Sequence, residues 1–432
     1  MHNGGSMALT VQSLYDSTSG LYRLRLLAGK KGMTHPVSWI FYNEDASIVD
    51  FIRGSEIVIT TGMNIERHKE ISASSQLLKL INKLHELDAA GLIVNTGHFI
   101  NDIPKDVIDL ADSFNFPLFS MPWEIHMIDI MQDYGNRIVE DRQKRITLSK
   151  FFFNAIFCPE KNEGSDSIQK EQFKQTAENS KNTYTVILIE MSDELFVKSD
   201  DEITRYIDYS FARKLSLPPS SFCWFIHDRK IVFVVMTESN AAGIKNTASV
   251  NAALSIQKTA ASDSFLINKR IGVSNDCILL KELRAAYDHA LLALRFPRNQ
   301  DTDQQSVIYD TDVSSLQQKS MLTFYDSLGI YKLLYEIKDC HVLESFYNEV
   351  LGPLNILSPD KRSDYLKTLR LYIESNGSVQ MTAEENSTHR NTVNYRIKKI
   401  GEILGCDLQD GRKRCMIETA LSIKDLLDTQ NY

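Results

Sequence analysis

At 432 residues, with 43% hydrophobic and 24% charged residues, the chain has the composition of a globular protein of about three domains. No run reaches the roughly 20 apolar residues of a membrane helix, and the start lacks a signal-peptide pattern, so a cytoplasmic protein with no membrane partner is expected. The net charge of −8 argues against a uniformly basic nucleic-acid binder, but residues 361–432 carry 12 Lys/Arg against 10 Asp/Glu while residues 1–360 carry 36 against 46.

Residues 1–6 (MHNGGS) are small and polar and are set aside, with Met7 as the expected natural start. Between 8 and 122 short apolar runs alternate with helical patterns. Runs 37–42, 56–60, 91–94 and 117–120 predict strands, and 72–87 and 104–114 predict helices, the second with Pro104 in its first turn. That alternation predicts an α/β domain with a largely parallel sheet, whose ligand sites lie at the carboxyl ends of strands. Thr60–Thr61–Gly62 would end one strand and Thr96–Gly97–His98 the next, so the two loops could converge on a small polar ligand. Trp39 is a candidate pocket wall, with a place in the core as the plainer reading. No GxGxxG or P-loop pattern points to a dinucleotide or nucleoside triphosphate.

A long helix is expected over about 125–157, with Ile128, Met131, Tyr134, Ile138 and Arg142 along one side, as a connection and a candidate dimer interface. The polar stretch 158–183 marks a boundary. Beyond it, strand 184–191, helix 202–215, a hairpin of 222–226 and 230–236 around His227–Asp228–Arg229, helix 241–262, strand 271–274, helix 280–294 and strand 307–309 predict an antiparallel-containing α+β palm. Nucleotide-cyclase chemistry on such a palm would need acidic metal ligands. The hairpin offers His-Asp-Arg-Lys without phosphate-approaching glycines, and Glu190 with Asp193 does not complete a site. A structural or dimerising role is preferred.

From 316 onward every pattern is helical. Asp360 is a candidate cap for a helix over 363–375, Gly377 ends it, and Ser378 caps the next. Ala383 permits close helix contact, 386–388 make a turn, and Thr388 is the expected cap of a basic helix. In that helix Val393, Ile397, Ile400 and Leu404 recur at helical spacing, while His389–Lys399 holds four basic residues and no acid. Such a helix fits a DNA groove: Arg390 and Asn391 near base edges, Thr392, Tyr395 and Arg396 near backbone or in helix packing, Lys398 on phosphate. Asn394, Lys399 and the ambiguous His389 complete the candidate set. A solvated face on a helical bundle is the plainer alternative. No HExxH or GxSxG occurs, the six cysteines are scattered singly, and neither catalytic residues, a metal nor a cofactor is expected.

The run YLKTLRLYIESNGSV…TA…HRNTVNYRIKKIGEILG resembles the helix–turn–helix of PucR-like, purine-catabolism-type bacterial transcription regulators. The upstream LGPL break fits, and LRLLAGKKGMTHPVSWIFYNE with FIRGSEIVITTGMN is similar to that family's sensor domain. The middle palm looks like its degenerate GGDEF-like domain. The resemblance implies a multidomain α/β fold: a sensor over 8–122, a connecting or dimerisation helix over 123–160, a GGDEF-like α+β palm over 161–315, and an all-α helix–turn–helix domain over 316–432. It implies a non-enzymatic, ligand-responsive regulator, a homodimer or higher homo-oligomer, with double-stranded operator DNA and a nitrogenous metabolite as partners. The chain departs from the family at Asn386 and Thr388, where apolar residues would stitch the two helices. The alternatives are a nucleotide-acting palm enzyme, or an interaction protein that has lost DNA.

Overall fold

The computed structural model describes residues 9–44, 52, 54–63, 72–158, 182–211, 215, 217, 221–238, 247–296 and 322–430. The expected strand at 307–309, most of the polar boundary and residues 1–6 lie outside them. The chain divides into two compact units, Met1–Ile271 with Asp276–Asp288, and Gly272–Asn275 with His289–Tyr432.

The first unit opens with helix α1 (Val11–Thr18) and strands β1 (Arg25–Ala28), β2 (Trp39–Tyr42) and β3 (Glu56–Thr60). Helix α2 (Ala73–Glu86), β4 (Gly91–Thr96), α3 (Lys105–Ser113) and β5 (Leu118–Pro122) follow. The sheet order is β1-β5-β4-β3-β2, with β2, β3, β4 and β5 parallel and β1 antiparallel at the edge. The largely parallel sheet is as predicted; α1 and β1 are additions. Alternate residues of a strand point to opposite faces. Ile57 and Ile59 accordingly join one buried cluster with Val11 and Leu14 of α1. Val58 joins another with Leu77, Leu80, Ile81 and Val107 of the flanking helices. Every residue of β3 is buried, as a central strand covered on both faces must be.

Gly29, just past β1, adopts φ +75, and a Cβ there would lie 2.1 Å from the Phe116 carbonyl. Only glycine fits that approach. Its amide donates to Asp112 Oδ1 at 2.7 Å, fastening the edge strand to α3.

Helix α4 (Met127–Phe157) runs 31 residues. Its first half buries Ile130, Tyr134 and Ile138 in the first sheet's core, and the Tyr134 hydroxyl lies 2.9 Å from Thr18 Oγ1. Burial pushes the Tyr134 phenol up to about 12. Of the side traced in the sequence, Tyr134 and Ile138 are buried while Ile128 and Arg142 are exposed, so those residues do not share one face; Ile130 joins the buried pair. The second half buries Leu148, Phe151, Phe152, Ala155 and Ile156. Between the halves, Arg145 reaches Asp141 at 3.2 Å and Asp208 at 3.5 Å, and Asp208 accepts from Trp224 Nε1 at 3.0 Å.

Next come β6 (Asn182–Glu190), α5 (Asp193–Phe196) and α6 (Asp200–Arg205), which continues as a π-helical stretch, Tyr206–Phe211. Then β7 (Phe222–His227) and β8 (Lys230–Glu238) form the predicted hairpin. Strands β6, β8 and β7 lie side by side in that order, antiparallel throughout. The hairpin turns on Asp228 and Arg229, both at positive φ, as a two-residue turn between twisted strands requires. Helix α7 (Thr247–Ala261), β9 (Ile271–Val273), α8 (Leu283–Arg295) and β10 (Leu322–Phe324) follow.

The rest of the second unit is helical: α9 (Ile330–Glu336), α10 (Cys340–Leu351), α11 (Pro359–Glu374), α12 (Val379–Glu385), α13 (Arg390–Leu404) and α14 (Gly411–Gln430). Leu351, Leu354, Leu369, Ile400 and Leu421 form one core; Leu334, Leu343, Ile423 and Leu426 belong to a second. Arg370 forks onto Asp425 at 2.7 and 2.9 Å, and Tyr331 donates to the same carboxylate at 2.9 Å, tying α9, α11 and α14 together. The α11 cap is Ser358, not Asp360, because Pro359 takes the first helical position and leaves Asp360 in the first turn. Among the described residues no helix is long and apolar enough to cross a membrane.

Candidate DNA interface and sensor loops

The local sequence sets the pitch of α12 against α13. Ser378 caps α12, accepting from the Met381 amide at 3.4 Å. After Glu385 the chain turns through Ser387 at φ +48, and the Thr388 amide donates to the Ala383 carbonyl at 2.9 Å. Thr388 Oγ1 donates to the Asn386 carbonyl at 2.8 Å. The Thr388 hydroxyl thus fastens the turn by a hydrogen bond where an apolar side chain would pack, while Asn386 contributes only its backbone carbonyl to it.

The cap of α13 is His389 rather than Thr388, whose hydroxyl is committed to the turn. His389 Nδ1 accepts from the Asn391 amide at 3.2 Å, so the neutral ring carries its proton on Nε2. At the other end Gly405, at φ +63, closes the helix by donating to the Gly401 carbonyl.

Val393 and Ile400 are fully buried, and Ile397 and Leu404 pack against the same core, as predicted. Arg390, Asn391, Asn394, Tyr395 and Lys398 then fall at i, i+1, i+4, i+5 and i+8, on a face turned away from that core. All five are exposed, as are His389 and Thr392. Two members of the candidate set stand off that face, Arg396 in the helix packing that was one of its two expected places. Arg396 lies beside the buried face and donates to Thr368 Oγ1 at 3.1 Å and Asp364 at 3.3 Å on α11. Lys399 is half-buried and pairs with Glu402 at 2.6 Å; that hydrogen bond holds its ammonium above the usual range. Of the four cations, Arg390 and Lys398 are the two on the outward face.

The second candidate site occupies the carboxyl ends of parallel, adjacent β3 and β4. Thr60 and Thr61 are buried and converge on Glu44, just beyond β2. The Thr61 amide donates to Glu44 Oε1 at 2.7 Å, Thr61 Oγ1 to the same atom at 2.5 Å, and Thr60 Oγ1 to Oε2 at 3.3 Å. Burial, then the hydrogen bond to Glu44, pushes the nearby Tyr42 phenol up. Gly62 continues at φ +78. On β4, Thr96 Oγ1 donates to the Met121 carbonyl at 3.4 Å, and Gly97 turns at φ +109 against Trp123. The exposed His98 ring stacks on Trp123 with centroids 4.5 Å apart. Sequence reasoning missed Glu44 and Trp123; Glu44 lies two residues past the end of β2 and Trp123 directly follows β5, and nearness to a strand's carboxyl end is the signal that could have found them.

Trp39 does not belong to this group. It starts β2 opposite Glu56, at the amino end of the parallel strands, whereas Thr60 ends β3. It is also half exposed, at 49%, so it is not core either. Among the described residues no group of three or more His, Cys, Asp or Glu is placed to hold a metal ion. At the end of β6 Glu190 is forked by Arg270, and Asp193 just beyond it pairs with Arg229 of the hairpin turn.

Two segments match known families. Residues 17–138, covering the first sheet, match the purine catabolism regulatory protein-like family. Residues 365–423, covering most of α11 through α14, match the PucR C-terminal helix-turn-helix domain. Both ends of the chain are PucR-like. The purine catabolism regulatory protein of Bacillus subtilis (strain 168) is 23% identical, over 93% of this chain and 97% of that protein. The proline-responsive transcriptional activator PutR of the same organism is 30% identical over 34% of this chain and 32% of its own length. The DNA-binding transcriptional activator AdeR, again from B. subtilis, is 23% identical over 34% and 35%. A regulator of polyketide synthase expression from Bifidobacterium adolescentis, of known structure, covers 64% of the chain at 16% identity, with a TM-score of 0.23. The PucR-like segments coincide with the first sheet and the α12–α13 pair.

Proposed function

We infer that this chain is a ligand-responsive, DNA-binding transcription regulator of purine, amino-acid or other nitrogen-metabolite genes. The observation that carries the reading is the outward face of α13, where Arg390, Asn391, Asn394, Tyr395 and Lys398 stand clear of the core on a helix capped at both ends. A guanidinium and an amide at the start of such a helix suit base edges, and an ammonium two turns later suits phosphate. The PutR and AdeR relatives, named as transcriptional activators, support the same reading.

The parts are a sensor over 8–122, a connecting helix over 123–160, a GGDEF-like palm over 161–315 and a helix–turn–helix domain over 316–432. The strand, helix, hairpin, helix order supports the palm assignment. A nitrogenous metabolite binds at the carboxyl ends of β3 and β4, with Thr60, Thr61, Gly62, Thr96, Gly97 and His98, joined by Glu44, around it. The palm is a structural module rather than an enzyme. Its two best-placed acids, Glu190 and Asp193, are both neutralised by arginines, which leaves them poor ligands for a cation. Cytoplasmic placement and operator DNA as partner follow from the regulator reading.

The test is binding of the full chain to the DNA upstream of its own gene across a salt series. Arg390→Ala should lose about 1–3 kcal/mol on the cognate site and relax its sequence preference. Lys398→Ala should weaken all sequences alike and lower the salt slope by about one unit. If both variants bind like the parent, the assignment of α13 is wrong.

A further inference from the structure

Only one nitrogen of the His389 ring is committed inside the protein. Nδ1 accepts from the Asn391 amide at 3.2 Å, and the residue's own carbonyl accepts from the Thr392 amide at 2.9 Å. Helix caps are ordinarily Ser, Thr, Asp or Asn, short side chains whose oxygen does this and reaches no further. An imidazole at the cap brings a second nitrogen on the far side of its ring. An amide can only donate, so Nδ1 is the acceptor and Nε2 carries the proton. The residue is exposed, and no acceptor for that proton is found among the described residues.

The ring directly precedes Arg390 and Asn391 and stands at the tip of α13, the end that a helix–turn–helix turns toward base edges. The turn behind it is fixed as well. Thr388 donates through its amide to the Ala383 carbonyl at 2.9 Å and through its hydroxyl to the Asn386 carbonyl at 2.8 Å. The Nε2 proton is therefore aimed before DNA arrives, which spares the ordering cost of a loose side chain. A single neutral donor is matched by a single acceptor. In the major groove N7 of a purine accepts, whereas adenine N6 and cytosine N4 donate and turn such a group away. Resting on the reading of α13 as a recognition helix, we propose that His389 reads one purine of the operator. Nε2 donates to N7 while Nδ1 holds the start of the helix. A neutral ring displaces no counterion, so His389 adds to sequence preference and leaves the salt slope alone.

The test replaces each purine of the bound upstream DNA in turn by its 7-deaza analogue, which lacks the N7 acceptor, and measures binding of the full chain. At one purine the parent should lose about tenfold in affinity. His389→Asn keeps an oxygen for the Asn391 amide but ends short of the base. On unmodified DNA it should bind about tenfold more weakly, with the parental salt slope and no lower melting temperature. At the sensitive purine it should lose nothing further, because the contact is already gone. Nitrogen-15 spectra of the parent's imidazole should place the proton on Nε2. A parent indifferent to every 7-deaza purine, though still weakened by Arg390→Ala, would overturn this proposal alone. So would a His389→Asn loss that a neutral methylphosphonate abolishes in place of a 7-deaza purine, since the acceptor would then be a phosphate. A parent that binds no DNA would overturn the reading of α13 and this proposal with it.

Discussion

Arg396 reaches from α13 to a buried threonine hydroxyl and a carboxylate on α11, and so sets the angle of the helix that carries Arg390. Phosphate contact and helix positioning predict different salt behaviour. Arg396→Met keeps the packed stem but removes the fork, and should destabilise the helical unit by about 1 kcal/mol, since Asp364 is largely solvated. It should weaken all DNA sequences alike while leaving the salt slope unchanged. A slope lowered by about one unit, read from the same titrations, would return Arg396 to the phosphates. Residue identity made the basic helix legible, because hydrophobic spacing alone divides a helix into inner and outer faces. It left Arg396 between backbone contact and helix packing, and did not separate Lys399 from Lys398. Those distinctions depend on Asp364 and Thr368, one helix away, and on Glu402 one turn later.

Elements buried on both sides were the most readable. Run 56–60 became β3 residue for residue, because a strand covered on both faces has no reason to alternate. Strand β1 was missed: it is four residues long, only Ala28 in it is fully buried, and the Gly29 turn rather than its own pattern holds it at the edge. Gly29→Ala tests that account. The added methyl meets the Phe116 carbonyl and a backbone it cannot adopt without strain, so the variant should lose about 2 kcal/mol or more in urea unfolding. An unchanged midpoint would mean that the turn relaxes freely. The π-helical stretch 206–211 was read as ordinary helix, since the two share nearly the same apolar spacing. The side of α4 traced in the sequence mixes buried Tyr134 with exposed Ile128, because spacing alone does not say which apolar residues of a long helix meet the sheet.

On the scale of the whole chain, a metabolite can alter DNA affinity only by binding one arrangement more tightly than another. The effect must be reciprocal. A compound from a panel of purine-breakdown intermediates and amino acids that raises the melting temperature is the starting point. If it changes operator affinity tenfold, saturating operator should change its own affinity by the same factor, measured calorimetrically. Thr61→Val should reduce the compound's affinity, because it removes the hydroxyl that fixes Glu44. Equal metabolite affinity with and without operator would show the two ends to be uncoupled. The sequence held both PucR-like ends openly but hid the partnership of Glu44 with Thr60 and Thr61, which forms only when β2 and β3 lie side by side. A pair of α13 helices related by a two-fold axis would read inverted repeats, two half-sequences running toward each other on opposite strands, whereas a lone α13 would read an unrepeated site.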